Sequence, residues 1–241
     1  NVIDQMRAMQ AVAPEGFRVL HDITMHGTTD HMYELIDKIS QFPIAGAFED
    51  PLESKDVEGY MELRKRSRLP ILLHHSPLGH TFDVMMRCAD AYIVGHARIG
   101  DAMRKAGAFA AANVPFMLQN VGTNITRAMT THMHAAFKTA TFPFHSDTET
   151  WKADVVKERL EPINGFLRVP EGPGLGVTLD PEQLERLKNL KLPEQKKWII
   201  KTRYKNGTKM YNIADPNGSI FMVRPDRRRL ISMSYDAPLA T

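Results

Sequence analysis

Cysteine is almost absent. Cys88 stands alone in 241 residues, so no internal disulfide or thiolate zinc site can form, and the usage fits a reducing compartment. Cys88 itself reads as buried filler rather than a nucleophile. Long apolar runs are missing too: none approaches the roughly 18 residues that span a bilayer, and no basic region leads into an apolar one at the start. Neither a membrane segment nor a signal peptide is therefore expected, and a cytoplasmic protein is. Charge of one sign is scarce, with a net of +3 and Lys and Arg scattered along the chain, which speaks against nucleic acid and for a small or anionic ligand. No Gly-x-Gly-x-x-Gly follows a strand, so a dinucleotide site has no support. What is present, 43% apolar and 24% charged residues, is the composition of a globular chain able to bury a large core.

The chain opens at Asn1 and runs straight into Val2 to Met9, a pattern that reads as a helix already under way and as a processed or trimmed chain. A strand-then-helix unit then repeats. Phe17 to Asp22 reads as a strand ending on a carboxylate, with helical apolar spacing from Met32 to Ile39 behind it. Ile44 to Glu49 is the next strand, with a helix from Val57 to Arg66; Pro70 to His75, Ala91 to His96 and Pro115 to Gln119 follow, and Thr139 to Phe142 is a weaker sixth. The strand ends recur at a spacing comparable with the roughly 30 residues per unit of a (β/α)₈ barrel. Near-continuous apolar strands with polar ends suit parallel strands covered by helices, with chemistry at one rim. An open doubly wound sheet has the same periodicity.

From about residue 162 Gly and Pro dominate, predicting a loop; a helix from Pro181 to Leu190 and strand-like pieces at Trp198 to Tyr204 and Ser219 to Val223 follow, with turn signals at Asn206-Gly207 and Pro216-Asn217-Gly218. Residues 1–180 are expected to form the barrel portion and 181–241 a C-terminal appendage packed on the barrel or on a further domain. Arg227-Arg228-Arg229 reads as a solvated face.

Phe17 to Asp180 resembles the mandelate racemase and muconate-lactonising branch of the enolase superfamily. In that family an Asp ends the third barrel strand, a Glu in a Glu-x-Pro motif ends the fourth, and a Glu or Asp ends the fifth, together binding Mg²⁺. Asp22 falls at the first position, Phe48-Glu49-Asp50-Pro51-Leu52 matches the second, and Leu69-Pro70-Ile71-Leu72-Leu73-His74-His75-Ser76 aligns with the third, with His75 in place of the carboxylate. Arg98-Ile99-Gly100 resembles the family's sixth strand-to-helix turn, and Pro173-Gly174-Leu175-Gly176-Val177 its closing segment. The resemblance implies an α/β fold of the (β/α)₈ TIM type, present as an incomplete barrel of about strands three to eight. The first two strands and the family's capping domain would then precede Asn1, because six strands cannot close an eight-stranded barrel.

The same resemblance implies reactions that remove a proton from the carbon beside a substrate carboxylate, with a divalent ion stabilising the negative charge that develops. It places Asp22, Glu49 and His75 as the metal ligands. Taken without it, Asp22 and Glu49 can equally serve turns beside Thr24 and Pro51. An imidazole is a poor ligand for Mg²⁺ and suits Zn²⁺, Mn²⁺ or Fe²⁺. His74 and His75 point to opposite faces if the strand runs through them; the alignment selects His75 as the inward one. His96 and His75 are the acid or base candidates, since imidazole moves protons near neutral pH. Gln119 and His145 are the candidate substrate contacts; His26, Asn120 and Asn124 are weaker ones, His21 reads as packed against a helix, and His132 and His134 do not share a helix face.

A metal-dependent lyase, such as a sugar-acid dehydratase, or an isomerase is thus the expected function, with a small carboxylate as substrate and a homo-oligomeric assembly. The alternatives are a diverged homologue that binds a ligand or acts as a scaffold without turnover, and a metal-dependent hydrolase lined by some of the ten histidines.

Overall fold

In a computed structural model of the chain, residues 2–75, 79, 84–96, 98–191, 198–204, 206–214 and 230–238 are described. The chain divides after Leu187 into two compact units.

The first unit alternates helix and strand: α1 (Val2–Val12), β1 (Val19–Asp22), α2 (Thr29–Ile39), β2 (Ala45–Glu49), α3 (Val57–Arg66), β3 (Ile71–Leu73), β4 (Ala91–Gly95), α4 (Ile99–Ala112), β5 (Phe116–Gln119) and α5 (Asn124–Ala136), with α6 (Pro181–Lys188) at its end. The five strands form one parallel sheet in sequence order, β1-β2-β3-β4-β5, which curls as part of an incomplete TIM-type barrel. The helices arise where expected. In α2, Met32, Ile36 and Ile39 recur at helical spacing and are buried. In α3, the Asp56 side chain caps the start by accepting from Gly59 N at 2.9 Å, and Arg64, Lys65 and Arg66 fill the last turn. Asn113 ends α4 in the left-handed conformation, which asparagine tolerates.

Alternation along each strand sorts side chains onto two faces. Phe48, Ile71, Leu73, Tyr92, Val94, Phe116 and Leu118 join the helices in the main core. Ala47, Leu72, Ala91, Ile93 and Met117 form a second cluster on the inner, barrel-facing side, with Phe142 packed against it. Each large side chain so buried contributes about 1.5–3 kcal/mol.

Three expectations change. The sixth strand, Thr139 to Phe142, is not formed; the segment runs beside β5 through Phe116 N to Thr139 O (2.9 Å) and His145 N to Leu118 O (2.8 Å), and only His145 makes an isolated bridge, to Gln119. Phe142 and Pro143 explain this: the proline has no N–H for a ladder, and Phe142 packs its side chain inward. The strand expected to reach His75 ends at Leu73, and the helix expected to reach Leu190 ends at Lys188.

The second unit is a three-stranded antiparallel sheet in the order β7-β6-β8, of β6 (Trp198–Tyr204), β7 (Lys209–Ala214) and β8 (Leu230–Pro238). Its first hairpin turns at Asn206-Gly207, where Gly207 has φ 87° and Asn206 Oδ1 accepts from Thr208 N at 3.1 Å. The expected strand at 219–223, the turn at 216–218 and the basic run at 227–229 lie outside the described residues. Among the described residues, no helix is long and apolar enough to cross a membrane.

Candidate active-site rim

The C-terminal ends of the parallel strands deliver a row of polar groups to the inner face. Asp22 and Glu49 are register partners across β1 and β2, and Gly95 and Gln119 across β4 and β5. Leu72 belongs to the inner cluster while Ile71 and Leu73 face the helices, so the next inward position beyond β3 is His74. The inward imidazole is therefore His74 rather than His75, and a one-residue shift in reading the strand end accounts for the difference.

Glu49 is 5% exposed, and its Oε1 lies 3.0 Å from His74 Nδ1. A carboxylate only accepts, so Nδ1 carries a proton and donates it to Glu49. Space for this ring exists because residue 95 is glycine: a Cβ there would stand 2.0 Å from His74 Nε2.

Asp50, known from the sequence only as the middle residue of the Glu-x-Pro match, organises the histidine pair. It is 1% exposed with φ 40°. Its Oδ1 accepts from His74 N at 2.8 Å, and its Oδ2 accepts from His75 Nδ1 at 2.5 Å and from His75 N at 3.3 Å. The carboxylate thus takes over the backbone donors that would have extended β3. The signal available in the sequence was a second carboxylate directly after the strand-end Glu49 and before Pro51. Nearby Tyr60 donates to Leu52 O at 2.9 Å; burial first, and the charge of Asp50 second, push its phenol far above the usual range, so it stays protonated.

The remaining candidates separate. Asp22 is exposed, and its Oδ1 accepts from Thr24 N at 2.7 Å, which is the turn role. His96 is exposed just past β4 with φ 47°, and its N–H donates to Gln119 O at 2.8 Å. Gln119 Oε1 is buried and has no partner among the described residues. His145 is exposed and lines a cleft of about 510 Å³ with Arg127, His134, Phe144 and Phe166, a lining that includes none of Asp22, Glu49, His74 or Gln119. His21 is buried and stacks on Phe48 at 5.3 Å. His132 and His134 each engage a different carbonyl, Leu175 O at 3.2 Å and Phe142 O at 3.0 Å. Asn120 bonds Thr130 Oγ1 at 3.0 Å, and Asn124 bonds Asp154 and Leu160 N, so both hold loops together. His26 keeps a buried Nδ1 without a partner among the described residues.

Residues 1–183 match the family model described as enolase C-terminal domain-like. The chain belongs to this enolase-superfamily family. Similar solved structures include a dipeptide epimerase from Cytophaga hutchinsonii complexed with Mg and the dipeptide D-Ala-L-Val (18% identity, TM-score 0.68, covering 77% of this chain and 52% of that one). A 3,6-anhydro-D-galactonate cycloisomerase from Zobellia galactanivorans matches at 23% identity and TM-score 0.67, covering 77% and 54%. A mandelate racemase/muconate lactonizing family protein from Azoarcus sp. EbN1 matches at 20% identity and TM-score 0.68, covering 79% and 55%. At these identities the likeness is one of fold, and the chain spans about half the length of these relatives. No curated protein matches.

The donors at this enolase-type rim do not fit the three-carboxylate Mg²⁺ set that the resemblance implied. Asp22 bends back to its own turn, Glu49 is engaged by His74, and the third inward position is an imidazole. Mg²⁺ takes oxygen ligands in near-octahedral geometry. Among the described residues, one set of three possible donors is gathered, Asp50, His74 and His75, with their ligand atoms within 4.8 Å of one another.

Proposed function

We propose that the chain carries the reactive rim of an isomerase or lyase that moves the proton beside the carboxylate of a small organic acid. The observation that carries this reading is the placement of Glu49, His74 and Gln119 on the inner face at the ends of β2, β3 and β5 of an enolase-family barrel, the edge where barrels of this type hold their chemistry. The solved relatives are epimerases and cycloisomerases among others, which is the same general class of reaction.

The roles follow from the contacts. Gln119 Oε1, buried and unpartnered among the described residues, accepts a hydrogen bond from a substrate hydroxyl or amide and so fixes orientation. His96, exposed directly beyond Gly95, is the imidazole open to a bound acid and takes the α-proton. Glu49 holds the His74 ring in one orientation at the end of β3. The resemblance assigns stabilisation of the developing charge to Mg²⁺, an ion that the donors present do not fit.

A second reading, ligand binding without turnover, is favoured by one feature, the turning of Asp22 into its own loop. The two are separated by incubating the protein in D₂O with 2-hydroxy acids, aldonic acids and dipeptides and following the α-proton signal by NMR. Loss of that signal, abolished in His96→Ala, supports proton transfer. Saturable binding of the same acids with the α-proton fully retained would make the protein a binder.

A further inference from the structure

We propose that Asp50, His74 and His75 form a binding site for a divalent cation of the zinc class, in place of the Mg²⁺ centre of the enolase-type rim. The site stands on its own geometry and does not depend on the reaction proposed above.

Donor chemistry comes first. Two imidazoles and one carboxylate are the mixture that borderline cations such as Zn²⁺ and Co²⁺ take and that Mg²⁺ declines. Spacing is the second point. Zinc-to-nitrogen and zinc-to-oxygen bonds of about 2.0–2.2 Å place donors of one tetrahedral shell about 3.3–3.6 Å apart. The three ligand atoms already lie within 4.8 Å of one another, so side-chain adjustments of about 1 Å close the shell.

The third point is preorganisation. Asp50 divides its oxygens: Oδ1 anchors the backbone N–H of His74 at 2.8 Å, while Oδ2 faces the His75 ring at 2.5 Å. The His74 ring is held by Glu49 at 3.0 Å and seated over Gly95; a carboxylate behind a ligating imidazole is the arrangement that fixes such a ring and raises its basicity. The His75 side chain is 54% exposed while that of Asp50 is 1% exposed, so the site combines a buried anchor with an open approach from solvent. On binding, the cation takes the place of the hydrogen between His75 Nδ1 and Asp50 Oδ2, and the neutral ring carries its one N–H on Nε2 instead, through exchange with water.

The experiment uses the whole chain, stripped with a chelator and dialysed to equilibrium against ZnCl₂, CoCl₂ or MgCl₂, with metal counted by elemental analysis and the Co²⁺ form followed by visible absorption. The expected result is one Zn²⁺ or Co²⁺ per chain and no retained Mg²⁺. His75→Ala weakens zinc binding at least about tenfold and changes the cobalt bands, Glu49→Gln weakens it about tenfold through His74, and His31→Ala, at a half-buried position on α2, changes nothing. His75 is exposed enough that its variant keeps the parent's circular dichroism and melting temperature, which guards the comparison. Zinc uptake unchanged in His75→Ala, or one Mg²⁺ per chain that survives His75→Ala, overturns the proposal. Because metal is counted rather than turnover, a chain that binds zinc without exchanging substrate protons would retain this site and lose the reaction, and the converse result would do the opposite.

Discussion

The His74 ring sits where a side chain on Gly95 would be, with its Nε2 only 2.0 Å from the position of a Cβ at residue 95. Gly95 ends β4, and β4 packs on both faces, so the backbone cannot retreat. Gly95→Ala is therefore expected to expel the ring, break its bond to Glu49 and cost about 1–3 kcal/mol through overpacking. Urea unfolding reads the loss, and the His74 imidazole resonances read the displacement; an unchanged ring signal at full stability would contradict the packing described.

His21 offers a pH test. Its ring is buried against Phe48, its Nε2 has no partner among the described residues, and burial pushes its pKa below the ordinary 6.5. The unfolded chain accepts a proton there at a higher pH than the folded one does. Stability is thus complete above pH ~6.5 and declines as pH falls through that value towards the lowered folded one. His21→Phe keeps the stacking and removes the proton, so its stability should fall less than the parent's between pH 7 and pH 5 in denaturant titrations. Equal declines would mean that His21 stays protonatable in the fold.

Arg127 and Glu149 should respond unequally. Arg127 has a side chain only 3% exposed that bonds Glu149, Ser146 Oγ and, at 2.7 Å, Leu160 O, whereas the Glu149 side chain is 53% exposed. Burial is the largest single effect and works upward on the Glu149 carboxyl, but the Arg127 hydrogen bond, Glu149's own backbone N–H and the charges of Arg127 and Arg159 together outweigh it and hold the pKa below the usual range. Arg127→Leu is expected to cost about 3 kcal/mol, since it strips several buried partners at once. Glu149→Gln leaves a solvated amide and should cost no more than about 1 kcal/mol. Thermal melts of both variants check the ratio, and equal costs would refute the account.

The units of the barrel were legible because each carries two periods, one for the strand and one for the helix. The Val57 to Arg66 helix and the strand ends at Asp22, Glu49 and Gln119 fall where the pattern put them. What failed depended on contacts between distant residues. Pro70 to His75 is apolar enough to read as one strand, yet the Asp50 side chain captures the amides of His74 and His75 and ends the ladder early. With the end misplaced by that much, alternation alone could not say which histidine faces inward. The third strand of the small sheet, Leu230–Pro238, was missed although Ile231-Ser232-Met233-Ser234-Tyr235 alternates apolar and polar residues at strand period; it pairs antiparallel with β6.

Thr24, Met25, Asp50 and His96 all take positive φ, from 40° to 60°, immediately beyond the ends of β1, β2 and β4. Each such residue costs roughly 1 kcal/mol or more that a glycine would not, so the rim stores conformational energy that the rest of the barrel must carry. Selection for heat resistance alone would reach these positions early, trading them for glycine, and would dismantle the placement of the polar groups while the fold grew stronger. In this chain the economical route to a tougher protein and the route to an idle one run through the same few residues.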